Sequence, residues 1–393
     1  MLYLLPDELL VAIVGYCDQK TRKHLSLVSR RLRHLSQFII FKTVHISRHK
    51  FETVVPRFAV EGDLPEVMQN DRLVSYIQTL VISLDEAFQH LEVNTIELLF
   101  TALHKMRRLR DIELLGIPFT TTMLDQLCEV LSTRLYNVNL RHCLYPADYT
   151  IKQPALKIQR LSLVARLNWK ETAPFITKAF VAIIQKALSS ITSLSMASGV
   201  GVLASFGTLP RLTSLDLLSK SGINDEGLSK FLVANPQLVE FALGQPIKDL
   251  SFLPPSALPN LRTIRASVEL VQHLLPGCPV SRVEITNLAS AKIMLDGLRA
   301  LSRSAAPIVK LNLHLHHYFI HFHEMLDIVV KAVPSLERMW LSFRAEVRST
   351  LRYTLACIDH SFLAVASTPR SPCQTRLTAR GQFTGSCLSQ AMG

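Results

Sequence analysis

The chain has 393 residues, a formal net charge of +12 and 48% apolar residues. That length excludes a single small core and points to two or more domains or a repeat array; that apolar share excludes wholesale disorder. With 31 acids against 43 Lys and Arg the surface is mixed, so charge alone assigns no nucleic-acid or membrane partner.

The basic surplus is uneven. Residues 1–50 carry Lys20, Arg22, Lys23, Arg30, Arg31, Arg33, Lys42, Arg48 and Lys50 against Asp7, Glu8 and Asp18, and no acid follows His360. No aromatic or glycine-rich nucleic-acid motif accompanies the basic residues, so a solvated helix face is the favoured reading and nucleic acid is disfavoured. Seven scattered cysteines without a CxxC pair predict reduced thiols in the cytoplasm or nucleus. Pro6, Asp7 and Glu8 interrupt the first apolar stretch, which argues against a signal core. No window reaches the ~18 apolar residues of a membrane span, so no membrane partner is expected.

In chain order, the first element is helical. Pro6 suits a first helical turn, and Asp7 and Glu8 favour the positive end of the helix. Leu5, Leu9 and Ile13 recur at spacing four as one stripe. Gly15 and Asp18 mark a break, with Asp18 as an N-cap. A second pattern carries Leu25, Val28, Leu32 and Leu35, with Lys20, Arg22, Lys23, Arg30, Arg31 and Arg33 opposite. Two or three helices this short cannot cover their own stripes, so apolar surface is left for a partner.

Leu5-Pro6-Asp7-Glu8-Leu9-Leu10, Ile13, Leu25-Ser26-Leu27-Val28-Ser29-Arg30-Arg31-Leu32 and Leu35 together resemble the F-box. The resemblance implies a helical unit that docks on the adaptor subunit of SCF-type cullin–RING ubiquitin ligases. Leu5, Pro6, Leu9, Ile13, Leu25, Val28 and Leu32 would touch the adaptor or hold the docking surface. Cys17, Arg22 and Ser29 depart from the family pattern, and the charge of Arg22 must reach solvent or a partner.

Residues 46–72 read as a linker or an adapting first unit. From residue 73 to 345 an apolar-x-x-apolar-x-apolar pattern recurs eleven times, centred on Leu80, Ile112, Val138, Leu161, Leu194, Leu215, Phe241, Ile264, Val283, Leu311 and Met339. The spacing scatters around the ~20–29-residue period of leucine-rich repeats. The last two apolar residues of each unit share one face of a strand. Thr95–Lys105, Ala179–Leu188 and Gly227–Ala234 read as intervening helices. The best-formed unit, residues 209–243, is similar to the leucine-rich repeats that often follow an F-box, including the Asn235-Pro236-Gln237-Leu238 turn. Elsewhere the Asn or Cys that would ladder the loops occurs only as Cys143.

The expected fold is α/β: an F-box over residues 1–45, then an irregular leucine-rich-repeat solenoid with parallel strands on a concave face and helices on a convex one. Residues 346–393 form a tail, disordered beyond 368.

No GxSxG, HExxH, P-loop or dinucleotide fingerprint occurs. The glycine-bearing ASGVGVLASFG (197–207) reads as a loop, and Asp225-Glu226 as a helix start. HLHHYFIHFH gathers His314, His316, His317, His321 and His323, with Glu324 as the nearest carboxylate. His314 and His316 alternate with leucines, so a pH-sensitive surface patch is favoured over a metal site.

No cofactor or metal is therefore assigned, and the chain is expected to be a non-catalytic substrate-recognition subunit of an SCF-type ligase. Its partners would be the adaptor, through it a cullin, and an unknown protein substrate. Strand alternation nominates Asn137, Asn139, Ser214, Asp216, Glu240, Arg262, Arg265, Asn312 and His314 for the substrate. Two alternatives remain: a ligase-independent scaffold, and an enzyme with a site built from repeat loops.

Overall fold

The computed structural model describes residues 5–47, 57–58, 70–84, 93–146, 149–165, 173–197, 203, 205–218, 225–247, 252–287, 291–316, 322–344, 350–358 and 361–366. It divides into two compact units, Met1–Leu194 and Ser195–Gly393.

In the first unit, two polar side chains decide where the opening helices begin. The Asp18 carboxylate accepts the Thr21 N–H at 2.7 Å and caps α2 (Gln19–Val28). Those hydrogen bonds hold its carboxyl below the ordinary carboxylate range. The Ser29 hydroxyl accepts the Leu32 N–H at 3.1 Å and starts α3 (Arg30–Ile40). The second apolar pattern is thus cut at Ser29, whose extended backbone (φ −154°) no helix continues through. The first helix, α1 (Asp7–Tyr16), buries Leu10 and Val14. Leu10, Leu32 and Leu35 form the three-helix core, with Leu5, Val11 and Leu25 packed against it.

Six parallel strands follow: β1 (Thr43–Ser47), β2 (Arg57–Phe58), β3 (Thr79–Ser83), β4 (Asp111–Leu115), β5 (Tyr136–Arg141) and β6 (Ile158–Val164). Their order is β2-β1-β3-β4-β5-β6. Strand β1 precedes the first of the eleven repeat cores, and Phe41, Val44 and Ile46 repeat their spacing, so the sheet starts one strand earlier than those eleven. Helices α4 (Asp71–Val74), α5 (Val93–Ala102), α6 (Thr121–Thr133) and α7 (Ala173–Ala187) lie between strands. Helix α6 shows why the arrangement needs neighbours. It buries Met123, Leu124, Leu127, Cys128, Val130 and Leu131, a face too broad for its own strand to cover. Between β4 and α6, Gly116 turns at φ +72°, and a Cβ there would lie 2.2 Å from the Leu84 carbonyl oxygen; only glycine fits. Strand β7 (Ser193–Met196) spans the boundary between the units.

The second unit repeats the logic. Its parallel strands are β8 (Ser214–Leu217), β9 (Glu240–Leu243), β10 (Thr263–Ser267), β11 (Arg282–Asn287), β12 (Lys310–His316) and β13 (Arg338–Arg344). They pair in chain order. Helices α8 (Asp225–Val233), α9 (Val268–Leu274), α10 (Ala291–Ala300) and α11 (Phe322–Ala332) connect them. Within the expected tail, β14 (Thr350–Ile358) and β15 (Ser361–Ala366) pair antiparallel, β14 against β13 and β15 against β14. Residues 367–393 lie outside the described residues.

Each unit is thus an α/β solenoid-like arrangement. All eleven central apolar residues sit on β3 to β13 and are buried. Loops are held by buried polar groups. Cys143 donates to the carbonyls of Leu114 and Arg141 at 3.4 Å, and burial pushes its thiol up to about 12. Asn235, fully buried, accepts the Leu209 N–H at 2.7 Å and donates to the Phe231 and Gly207 carbonyls. Asn235→Ala orphans the Leu209 donor and two carbonyls at once. By urea denaturation it is expected to cost about 2–3 kcal/mol, the scale of leaving buried groups unpaired.

Candidate functional site

Helix α1 has two apolar faces. Leu10 and Val14 point inward. Leu9 (52% exposed), Ile13 (43%) and Tyr16 (94%) share the adjacent face at i, i+4, i+7, and Leu27 (73%) and Val28 (61%) lie exposed at the end of α2. The expected docking residues therefore divide by position. Leu9, Ile13, Val28 and Pro6 are exposed, Leu5 and Leu25 are half-buried against the core, and Leu32 is within it. Tyr16 and Leu27 were missed. Tyr16 could have been found by carrying the Leu9–Ile13 spacing one turn further.

Arg22 ends α1. Its guanidinium donates to the Val14 carbonyl at 3.0 Å, which also accepts the Cys17 N–H, and to the Gly15 carbonyl at 2.6 Å. Arg31 adds a tie from α3, to Asp7 at 2.6 Å and to the Leu5 carbonyl. Residues 2–43 match the F-box domain family. No curated protein matches the chain significantly. An F-box suggests a subunit of an SCF-type ubiquitin ligase and implies binding to its adaptor and, through that, to a cullin. F-box proteins are generally non-catalytic substrate receptors. No helix among the described residues is long and apolar enough to cross a membrane.

The F-box is fastened to the first repeats. The Phe38 and His34 rings of α3 meet Tyr76 edge-on at 5.8 and 5.5 Å between centroids, and the Tyr76 hydroxyl lies 2.6 Å from His34 Nδ1. Arg108 sits over Phe38, 5.1 Å from its centroid. The Lys42 carbonyl accepts the N–H groups of both Gln78 and Thr79, carrying the last F-box turn into the ladder.

On the strand faces the nominated residues separate into four hydrogen-bonded groups, two in each unit, and a remainder. In the first unit, Asn137 donates to Asp111 at 2.6 Å and Thr79 to the other oxygen at 3.3 Å. Asn139 accepts from Arg141 at 3.1 Å. In the second unit, Arg265 grips both oxygens of Asp216 at 2.7 and 2.8 Å. Asn312 donates to Glu284 at 3.3 Å, and His314 Nε2 lies 3.0 Å from the same carboxylate. The Ser342 hydroxyl meets His314 Nδ1 at 2.6 Å. Because a carboxylate only accepts, neutral His314 donates through Nε2 and accepts the Ser342 proton through Nδ1. Ser214, Glu240 and Arg262 stand outside these networks, with Glu240 and Arg262 exposed. Glu284 and Ser342 were not nominated; cross-strand pairing, which decides their roles, needs the register.

Serine, imidazole and carboxylate in this order have the connectivity of a nucleophile, its base and an orienting group. Among the described residues no oxyanion site accompanies it. Strand β13 is paired along its length on both sides, so its backbone N–H groups are committed to the sheet and none forms an oxyanion site at Ser342. The chain instead orders a polar face. Among the described residues no His, Cys, Asp or Glu group could hold a metal. His317 and His321 lie outside the described residues, as does most of the glycine-bearing loop before Ser205. Glu226, at the start of α8, is bound to Lys230 at 2.6 Å.

The hydrogen bond from His314, aided by Asn312 and the Arg265 charge, holds the Glu284 carboxyl below its ordinary value of 4.5. A depressed carboxylate stabilises the fold fully above that value and loses the contribution as pH falls through its lower folded value. The melting-temperature gap between wild type and Glu284→Gln should thus be widest above about pH 5 and close toward pH 3. Melts across that range check it.

Proposed function

We propose that the chain is the substrate-recognition subunit of an SCF-type ubiquitin ligase. Its F-box plugs into the adaptor and its repeat strands hold the protein to be modified. The observation that carries this reading is the double-faced α1: Leu10 and Val14 already fill the core, yet Leu9, Ile13 and Tyr16 remain exposed beside Leu27 and Val28. A fully covered Leu, Ile or Val side chain is worth about 1.5–3 kcal/mol, so such a face left to water is a standing incentive to bind. Pro6 and these side chains are the contact residues. Leu5, Leu25 and Leu32 act beneath them by holding the helices in place.

The repeats are leucine-rich repeats of a degenerate kind. Supporting this are the eleven buried strand cores, the ladder made by Asn235 and the matching role of Cys143. The open strand face of each unit is a substrate side, with Asn137 and Asn139 half-buried in the first unit and Asp216, Arg265, Asn312 and His314 half-buried in the second. Ser214, Glu240 and Arg262 border it. No bond is made or broken by this chain; it raises the local concentration of substrate beside the transfer machinery. The four described cysteines are free, which supports a cytoplasmic or nuclear setting.

The test is capture of adaptor and cullin by the intact chain and by Leu9→Asp/Ile13→Asp. The double variant should lose both by tenfold or more, about 1.4 kcal/mol or beyond, with an unchanged melting temperature because both side chains are exposed. Adaptor captured by wild type without cullin would instead favour the ligase-independent scaffold.

A further inference from the structure

An open cavity of about 620 Å³ lies in the first unit, lined by Gln78, Arg107, Arg108, Arg110, Arg134, Leu135 and Gln159. It sits where the chain enters β3, β4, β5 and β6, away from the strand-face residues nominated for the substrate. Four of its seven lining side chains are guanidinium groups and none is a carboxylate.

The arginines are positioned by neutral groups. Arg134 donates to the Tyr136 hydroxyl at 2.8 Å and to the Met106 carbonyl at 3.3 Å, with its guanidinium 5.8 Å from the Tyr136 ring centroid. Arg108 rests on Phe38. The backbone of Arg110 is laddered on both sides, its N–H to Gln78 and its carbonyl to Asn137. No ion pair engages any of the four among the described residues. The nearby acids are spoken for: Asp111 by Thr79 and Asn137, and Asp71, which feels the Arg107 charge, by Lys105 at 2.8 Å.

A second observation points the same way. The β5–β6 register pairs Tyr136 with Ile158 but Asn137 with Arg160, so Gln159 is an extra, bulged residue. Its carbonyl is taken by Thr192, while its side chain lines the cavity. Bulges re-aim side chains, and this one turns an amide toward the arginines.

We infer that this cavity binds an acidic peptide segment, its Asp or Glu carboxylates gripped by Arg107, Arg108, Arg110 and Arg134. The inference rests on the reading of the repeats as the substrate-holding part and names the chemistry of one substrate segment. Guanidinium forks match carboxylates in bidentate pairs, and Gln78 and Gln159 add uncharged amide donors. The four arginines come from two places in the chain, the run 107–110 ahead of β4 and Arg134 ahead of β5. That spread suits several single charges distributed along a segment better than one dense anion. Leu135, 52% exposed at the rim, offers an apolar contact beside them. A nucleic acid fits less well, because no lining residue is aromatic and no stacking platform is present.

The experiment is fluorescence anisotropy at physiological salt with the intact chain and a short labelled peptide of glutamates in a glycine–serine frame. Three comparison probes are the same peptide with glutamines, a phosphoserine version and a short single-stranded RNA. The glutamate peptide should bind, the glutamine peptide should not, and each of Arg107→Gln and Arg110→Gln should weaken binding about tenfold, as loss of a charged hydrogen-bonding partner predicts. Arg107 is exposed and its side chain makes no hydrogen bond among the described residues, so its variant tests the site without disturbing the fold. Equal binding of the glutamine peptide, no binding of the glutamate peptide, or affinity unchanged in both variants overturns the inference. So does preference for the phosphoserine peptide or the RNA over the glutamate peptide. Adaptor capture by the same arginine variants reports on the ligase reading alone, so the two can fail separately.

Discussion

Alternation along the strand is the constraint on which the rest depends. Along β3, β4 and β5 one residue turns into the core and the next toward the open face, as their alternating burial shows. The inward set is spent on holding neighbouring repeats together, because no single strand and helix can cover both their apolar faces. The outward set is then free of the core, and packing does not dictate its composition. That freedom explains why the inner residues are monotonously Leu, Ile and Val while the outer ones include Asp111, Asn137, Arg265, Glu284 and His314.

The F-box breaks the same economy on purpose. A helix of ten residues that buries Leu10 and Val14 has met its structural need, yet α1 carries a second apolar row. In a lone domain that row lowers solubility and adds nothing to the fold. Its position is nevertheless defined, because α3 is locked to the first repeats through His34, Phe38, Tyr76 and Arg108. Whatever grips α1 and α2 thereby gains leverage on the early repeats.

Much of this was legible in the sequence. The eleven strand cores, the Asp18 cap and the exposed Leu9–Ile13 row follow from spacing, which depends only on local geometry. What escaped depends on contacts between distant residues or on weak local competition. Ser29 cuts a helix because its hydroxyl offers the backbone an alternative partner, a contest the apolar pattern does not record. Glu284 and Ser342 join His314 only once three strands are in register. Arg107, Arg108 and Arg110 form a visible run, but Arg134 and Gln159 reach them one and two repeats later, Gln159 by way of a bulge. Strand β1 carries the same spacing, Phe41-x-x-Val44-x-Ile46, but Phe41 directly follows the apolar residues that end α3, so the unit is masked by the helix before it.

Arg22 stands where an apolar residue is usual in F-boxes, and it ties α2 to the end of α1 through two main-chain carbonyls. Greasy packing at such a corner loosens on cooling, and a histidine there would let go as it titrates. A guanidinium keeps its proton at any pH a cell reaches. The corner between the two helices is therefore fastened by one side chain that serves two main-chain carbonyls, and the exposed Leu9, Ile13, Leu27 and Val28 on either side of it share that fastening.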